Sequence, residues 1–180
     1  AGTGDGVNTM RLLSLDLGRH VGYALWDVDL KKPLSPGWLY NLEQNGISLI
    51  ESGCWDFTNL ELADCYAKFY YEAGDLCASH PFSMIAYECI EFMKYRYTAQ
   101  VQFGLEAIVL LFGVEFKVTV VPQGVTKMKK FICGHGRAQK RDIVTRVMHL
   151  LKENRIRKDS ITDHEADAIA CGLLTIQELK

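Results

Sequence analysis

Three carboxylates and an imidazole stand where a divalent cation could be held. Asp16 ends the apolar stretch RLLSLD, and Glu88 ends another, SMIAYE. Carboxylates that close buried strands and meet at one edge of a sheet suit Mg2+, a hard ion that takes oxygen ligands and keeps positions open for substrate phosphates. The segment TDHEADAIA, residues 162–170, supplies a third corner. On a helix, His164 and Asp167 are three residues apart and Asp163 and Asp167 four, so these share one face while Glu165 points away. After Asp167 the pattern turns apolar, which sets that face close to a core. Ionisable groups crowded there repel one another unless a cation sits among them. Plainer readings of the same residues stay open: acids end strands where solvent begins, and acids in a first helical turn are favoured by the helix dipole.

The charge is unevenly spread. Net charge is −2 over 180 residues, yet from Lys117 to Lys158 there are twelve Lys or Arg and two acids, Asp142 and Glu153. Residues 1–116 carry seven bases against fifteen acids. One strongly basic third in a near-neutral chain points to a polyanionic partner, with solvated helix faces as the alternative. In GHGRAQKRD, glycines precede a helix whose first turns carry Arg137, Lys140 and Arg141, and backbone N–H groups with cations at a helix start suit a phosphate. The six cysteines lack any Cys-x-x-Cys pair, which argues against a zinc site and for reduced thiols in the core.

The elements that must position these groups follow from periodicity. Residues 1–9, AGTGDGVNT, read as a flexible lead or a cloning remnant. RLLSLDL, VGYALWDV and ISLIESGCWDF read as three strands of an antiparallel meander. A helix is predicted over about residues 60–79 and stopped at Pro81, then the strand SMIAYE, then an apolar helix around Ala99–Leu111. FKVTVV reads as a strand closed by Pro122. Two helices, around Thr126–Ile132 and Ala138–Lys152, occupy the basic region, and a last helix capped by Thr162 or Asp163 runs to about residue 178. Three antiparallel strands followed by alternating helices and strands imply an α/β fold, a mixed sheet with helices on both faces. No apolar run of the ~18 residues needed to cross a bilayer and no secretory pattern stand out, so the expected setting is soluble and intracellular, with no membrane.

In this order the motifs resemble the RuvC family of Holliday junction resolvases, within the RNase H-like nucleases. They are Asp16-x-Gly18 with Gly22-Tyr23, Tyr87-Glu88, Gly134-x-Gly136-x-Ala138-x-Lys140, and His164-x-x-Asp167-Ala168, with further matches around Phe92 and at Phe103-Gly104. The similarity spans Met10 to about Leu174. The Asp16–Gly22 spacing is one residue short of the usual bacterial pattern, an extra residue stands between Glu88 and Phe92, and the stretch from Pro122 to Gly134 is longer. These departures resemble phage-type or outlying members.

The resemblance implies an RNase H-like five-stranded sheet over residues 10–180 as one nuclease domain. It implies an endonuclease that resolves four-way and other branched DNA by phosphodiester hydrolysis with two Mg2+ ions, Mn2+ being able to substitute. Asp16 would bridge the ions, Glu88 and Asp167 would each hold one, and His164 would ligate or hydrogen-bond near the nucleophilic water, with Asp163 its substitute. Lys129 and Lys140 would face DNA beside the active site, and Phe92 would stack on an unpaired base at the junction centre. The helix after Glu88 would form a homodimer, two-fold symmetry matching two symmetric nicks. Alternative readings are another RNase H-like nuclease acting on forks, branched DNA or RNA–DNA hybrids, and a non-catalytic DNA-binding module on the same fold. An actin-like ATPase shares the first motif but needs room for a second subdomain.

Overall fold

The computed structural model describes residues 9–89 and 95–180. Strands β1 (Thr9–Asp16), β2 (His20–Asp29) and β3 (Ile47–Asp56) form the antiparallel meander, and β4 (Met84–Cys89) and β5 (Thr119–Gly124) add parallel strands on the other side of β1. The sheet order is β3-β2-β1-β4-β5. Helices α1 (Leu62–Ser79) and α2 (Arg96–Glu115) cover one face, and α3 (Val125–Cys133), α4 (Lys140–Glu153) and α5 (Asp163–Leu179) cover the other.

Strand alternation assigns each side chain to a face. Leu13 and Leu15 of β1 and Ile85 and Tyr87 of β4 pack beneath Phe69, Leu105 and Val109 of α1 and α2. Leu12 of β1, Met84 and Ala86 of β4 and Trp26 of β2 pack beneath Ile143, Val147, Ile169 and Leu173 of α4 and α5. The same parity carries Asp16 and Glu88 onto the α5 face. β1 and β4 run parallel with Leu15 opposite Tyr87, so the two carboxylates leave neighbouring strand ends side by side.

Helix α5 lies unusually close to the sheet, and two glycines allow it. A Cβ on Gly22, the partner of Asp16 in the β1–β2 ladder, would stand 1.9 Å from the His164 carbonyl oxygen. A Cβ on Gly172 would stand 2.2 Å from Trp26 Nε1. Beneath it Trp26 Nε1 donates to Ser14 Oγ (3.1 Å), which donates to the Ala24 carbonyl (3.2 Å), so the polar groups of this dry layer are paired. Thr162 caps α5, its hydroxyl accepting from the Glu165 N–H at 3.0 Å.

The expected elements are present, with shifted boundaries. β5 starts at Thr119 and runs through Pro122, because it is an edge strand and a missing N–H costs no ladder bond on its open side. Phe116 and Lys117, expected in that strand, instead end α2, Lys117 taking φ 56°. Helix α4 begins at Lys140 behind a Gln139–Asp142 capping box, so Arg137 sits in the preceding turn and not in the helix. Helix α2 is longer than expected, and by length and composition it is apolar enough to cross a membrane. Val101, Leu105, Val109 and Phe112 bury one side of it against the sheet. Of the cysteines, Cys65 and Cys171 are buried, while Cys54, Cys77, Cys89 and Cys133 are only half-buried.

Candidate active site

Asp16, Glu88, His164 and Asp167 meet at the strand ends, beneath the first turn of α5, in a cleft of ≈ 370 Å³ that Lys140 also lines. Asp16, Glu88 and Asp167 are buried, at 7%, 7% and 6% exposure. His164 Nδ1 lies 2.6 Å from Asp16 Oδ2, and its Nε2 lies 3.9 Å from Asp163 Oδ1. Asp163 Oδ2 is taken by Lys140 Nζ at 2.7 Å. Glu165 leaves this face, as its spacing predicts, but is buried too: Ser52 Oγ donates to it at 2.7 Å and Lys158 pairs with it.

The electrostatics of the three carboxylates are unfavourable as they stand. Burial, then repulsion from Asp16 and Asp167, pushes Glu88 up to about 8. Burial and then Asp16 push Asp167 up to about 7. Burial also raises Asp16, opposed by its hydrogen bond to His164. That bond raises the imidazole in turn, which favours an imidazolium donating to Asp16. Glu88 Oε2 and Asp167 Oδ1 are buried with no hydrogen-bond partner among the described residues. A buried oxygen left without a partner costs ~1–3 kcal/mol, more when charged. A hard cation would relieve both the orphaned oxygens and the repulsion, and an all-oxygen donor set with an open cleft is what Mg2+ takes. Among the described residues no three such side chains already converge as a ligand cluster.

The cleft contains residues that sequence reasoning missed. His20 stacks on His164, ring centroids 5.3 Å apart, and leans on Asp56 (3.5 Å). Arg19 donates to the carbonyls of Phe57 (3.0 Å) and Leu60 (2.5 Å) and to the Tyr97 hydroxyl, tying the β1–β2 turn to the starts of α1 and α2. Buried Gln102 donates to the Glu88 carbonyl at 3.5 Å. The one available signal was adjacency: Arg19 and His20 fill the hairpin between Gly18 and Gly22.

The basic residues divide. Lys140 lines the cleft, and Lys129 is near enough to favour the ionised form of Glu88. Arg137 and Arg141 are exposed and are not part of the cleft lining. Phe92 lies outside the described residues.

A meander joined to two parallel strands, with helices on both faces, is the fold of the RNase H-like class. The family model described as crossover junction endodeoxyribonuclease RuvC matches residues 39–175, and the chain belongs to that family. The matched span holds Glu88, Lys140, His164 and Asp167 and begins after Asp16. The crossover junction endodeoxyribonuclease RuvC of Finegoldia magna is 27% identical over 169 residues, 93% of each chain. The structure of Thermus thermophilus RuvC in complex with Holliday junction substrate has a TM-score of 0.72 at 21% identity, covering 92% of each chain. The fowlpox virus resolvase, solved with substrate Holliday junction DNA, has a TM-score of 0.57 at 15% identity, covering 93% of this chain and 99% of that one. At those identities the two structures speak for the fold alone.

Proposed function

We propose that this chain is a divalent-metal-dependent endonuclease that resolves four-way DNA junctions by paired phosphodiester hydrolysis. The observation that carries it is the pair of orphaned oxygens on Glu88 and Asp167, buried beside Asp16 in an open cleft that Lys140 also lines. Asp16, Glu88 and Asp167 would hold two Mg2+ ions, with Mn2+ able to substitute. Such a pair, when bound, activates a water and offsets charge on the scissile phosphate and the leaving oxygen.

The side chains do the positioning. His164 donates to Asp16, opposes the burial that favours its neutral form and orients it, a role that its 2.6 Å contact supports more directly than ligation. The His20 stack limits how far the His164 ring can turn. Lys140 and Lys129 would hold phosphate oxygens over the cleft, and the low dielectric around the carboxylates strengthens each such contact.

The proposed enzyme is a homodimer. Phe103, Leu110, Leu111 and Val114 form an exposed apolar stripe on α2, opposite the side packed on the sheet, and Val114 is 81% exposed. Two-fold pairing along it would present two clefts to a junction that needs two symmetric nicks.

The test is cleavage of a synthetic four-way junction with Mg2+, with both nicks mapped. Symmetric, religatable nicks are expected. Preference for forks, linear duplex or RNA–DNA hybrids over junctions would overturn the assignment.

A further inference from the structure

Helix α4 starts at the cleft with Lys140 and ends away from it in a second group of cations. Its solvent stripe runs Arg141, Thr145, His149, Lys152, and Arg155 and Arg157 follow directly; all are exposed. Two open grooves lie along this line, of ≈ 700 Å³ and ≈ 640 Å³, and His149 borders both. Lys152, Arg155 and Arg157 line the second groove together with Asp159. None of the three is ion-paired with an acidic side chain among the described residues. A favourable contact with the helix dipole accounts for one cation in the last turn, Lys152, and not for two more beyond it.

The backbone at this point is a defined turn. The Arg155 N–H bonds the Lys152 carbonyl (3.0 Å) and the Ile156 N–H bonds the Leu151 carbonyl (2.9 Å), the Schellman pattern that ends many helices. Its left-handed position is usually glycine, yet here Arg155 holds it at φ 58°. Lys117 takes the same conformation after α2 (φ 56°), so the turn fixes the position of Arg155 without by itself marking a function. The turn is also pinned. Asn154 Nδ2 donates to the Leu39 and Leu150 carbonyls (2.7 and 2.8 Å), and Lys158 Nζ donates to the Ser52 carbonyl at 2.7 Å.

We propose that Lys152, Arg155 and Arg157 form a second docking point, for the phosphate backbone of a duplex DNA arm, an inference that rests on the junction reading above. α4 has 14 residues and is about 21 Å long, so an arm leaving the cleft along it reaches the cluster after about six base pairs. The cluster reads charge alone, and it lengthens the grip on an arm whose reacting phosphate is held at Lys140.

The test uses the full chain with EDTA, so that nothing is cut. Anisotropy reports binding to a normal four-way junction and to one carrying neutral methylphosphonate links about five to eight base pairs from the crossover, the reach set by helix rise. The wild type is expected to bind the neutralised junction about tenfold more weakly, and K152S/R155G/R157S to bind both junctions equally weakly, with a salt slope reduced by about 2–3. Arg155→Gly alone places glycine at the left-handed position, so its melting temperature is expected to hold or rise while affinity falls. Arg157→Ser supplies the same readout should the triple variant fail to fold. Normal affinity in the variants, or a further loss when variant and neutralised junction are combined, would overturn the docking point. Wild type that binds no junction at all would sink the junction reading itself.

Discussion

Asp16, Glu88 and Asp167 are costly residues that the metal-free protein holds at a disadvantage. Asp16→Asn is expected to abolish cleavage, with junction affinity kept within about threefold, because the phosphate contacts come from elsewhere; retained cleavage would exclude Asp16 from the chemistry. Asp167→Asn removes one repelling charge, so at pH 8 it is expected to stabilise the metal-free protein by on the order of 1 kcal/mol while removing activity. Equal or lower stability in denaturant would argue that Asp167 is not strained. The pH dependence has a definite sign. As pH rises above about 4, the unfolded chain releases these carboxyl protons first. The folded state holds them until about 7 at Asp167 and about 8 at Glu88. The metal-free melting temperature should therefore fall as pH rises from about 4 to about 8, and Mg2+ should raise it more at pH 8 than at pH 6. A flat profile in scanning calorimetry would contradict the buried-carboxylate account. That Asp16, Glu88, His164 and Asp167 come together in one cleft was legible from their places at apolar strand ends and at a helix start. His20 and Arg19 were not, because a stack on a residue far along the chain and a carbonyl contact across 38 residues leave no local pattern.

Helix α5 is the element on which the site depends, since it delivers both His164 and Asp167. Its closeness to β2 rests on Gly22, where any side chain meets the His164 carbonyl. Gly22→Ala is expected to cost about 2–3 kcal/mol in denaturant unfolding and to lower cleavage by displacing the α5 start. An unchanged unfolding midpoint would show that α5 can back away freely. Hydropathy periodicity located α5 well because Thr162 caps it and its interior is apolar on every side. It placed β5 poorly, since proline ends central strands but not edge ones, and nothing local says which strand is the edge. It also cut α2 short: at its start residues 96–98 are exposed and fall outside the apolar pattern, and at its end Gly113 interrupts the pattern while the helix continues to Glu115.

For the whole molecule, the α2 stripe sets the expected assembly. Leu111→Glu with Val114→Glu puts charge on the exposed face, and sedimentation should find monomers in place of dimers, with single nicks replacing paired ones. A dimer that survives both substitutions would place the interface elsewhere. The mixed sheet with helices on both faces was legible once strand and helix periods were read in sequence, but its strand order was not, and subunit pairing was legible only as an excess of apolar residues on one helix. The parity that puts Asp16 and Glu88 on one face has a further consequence, for changes in chain length. Deleting one residue inside β1, at Leu13 for example, would leave composition and strand propensity almost intact. It would nevertheless turn Asp16 toward the α1–α2 side, into the layer of Leu15 and Tyr87. Deleting two would restore the face but draw the carboxylate back from the strand end. The two strands thus act as rulers with a count as well as a chemistry, and codon-length changes there should be far more damaging than most single substitutions at the same positions.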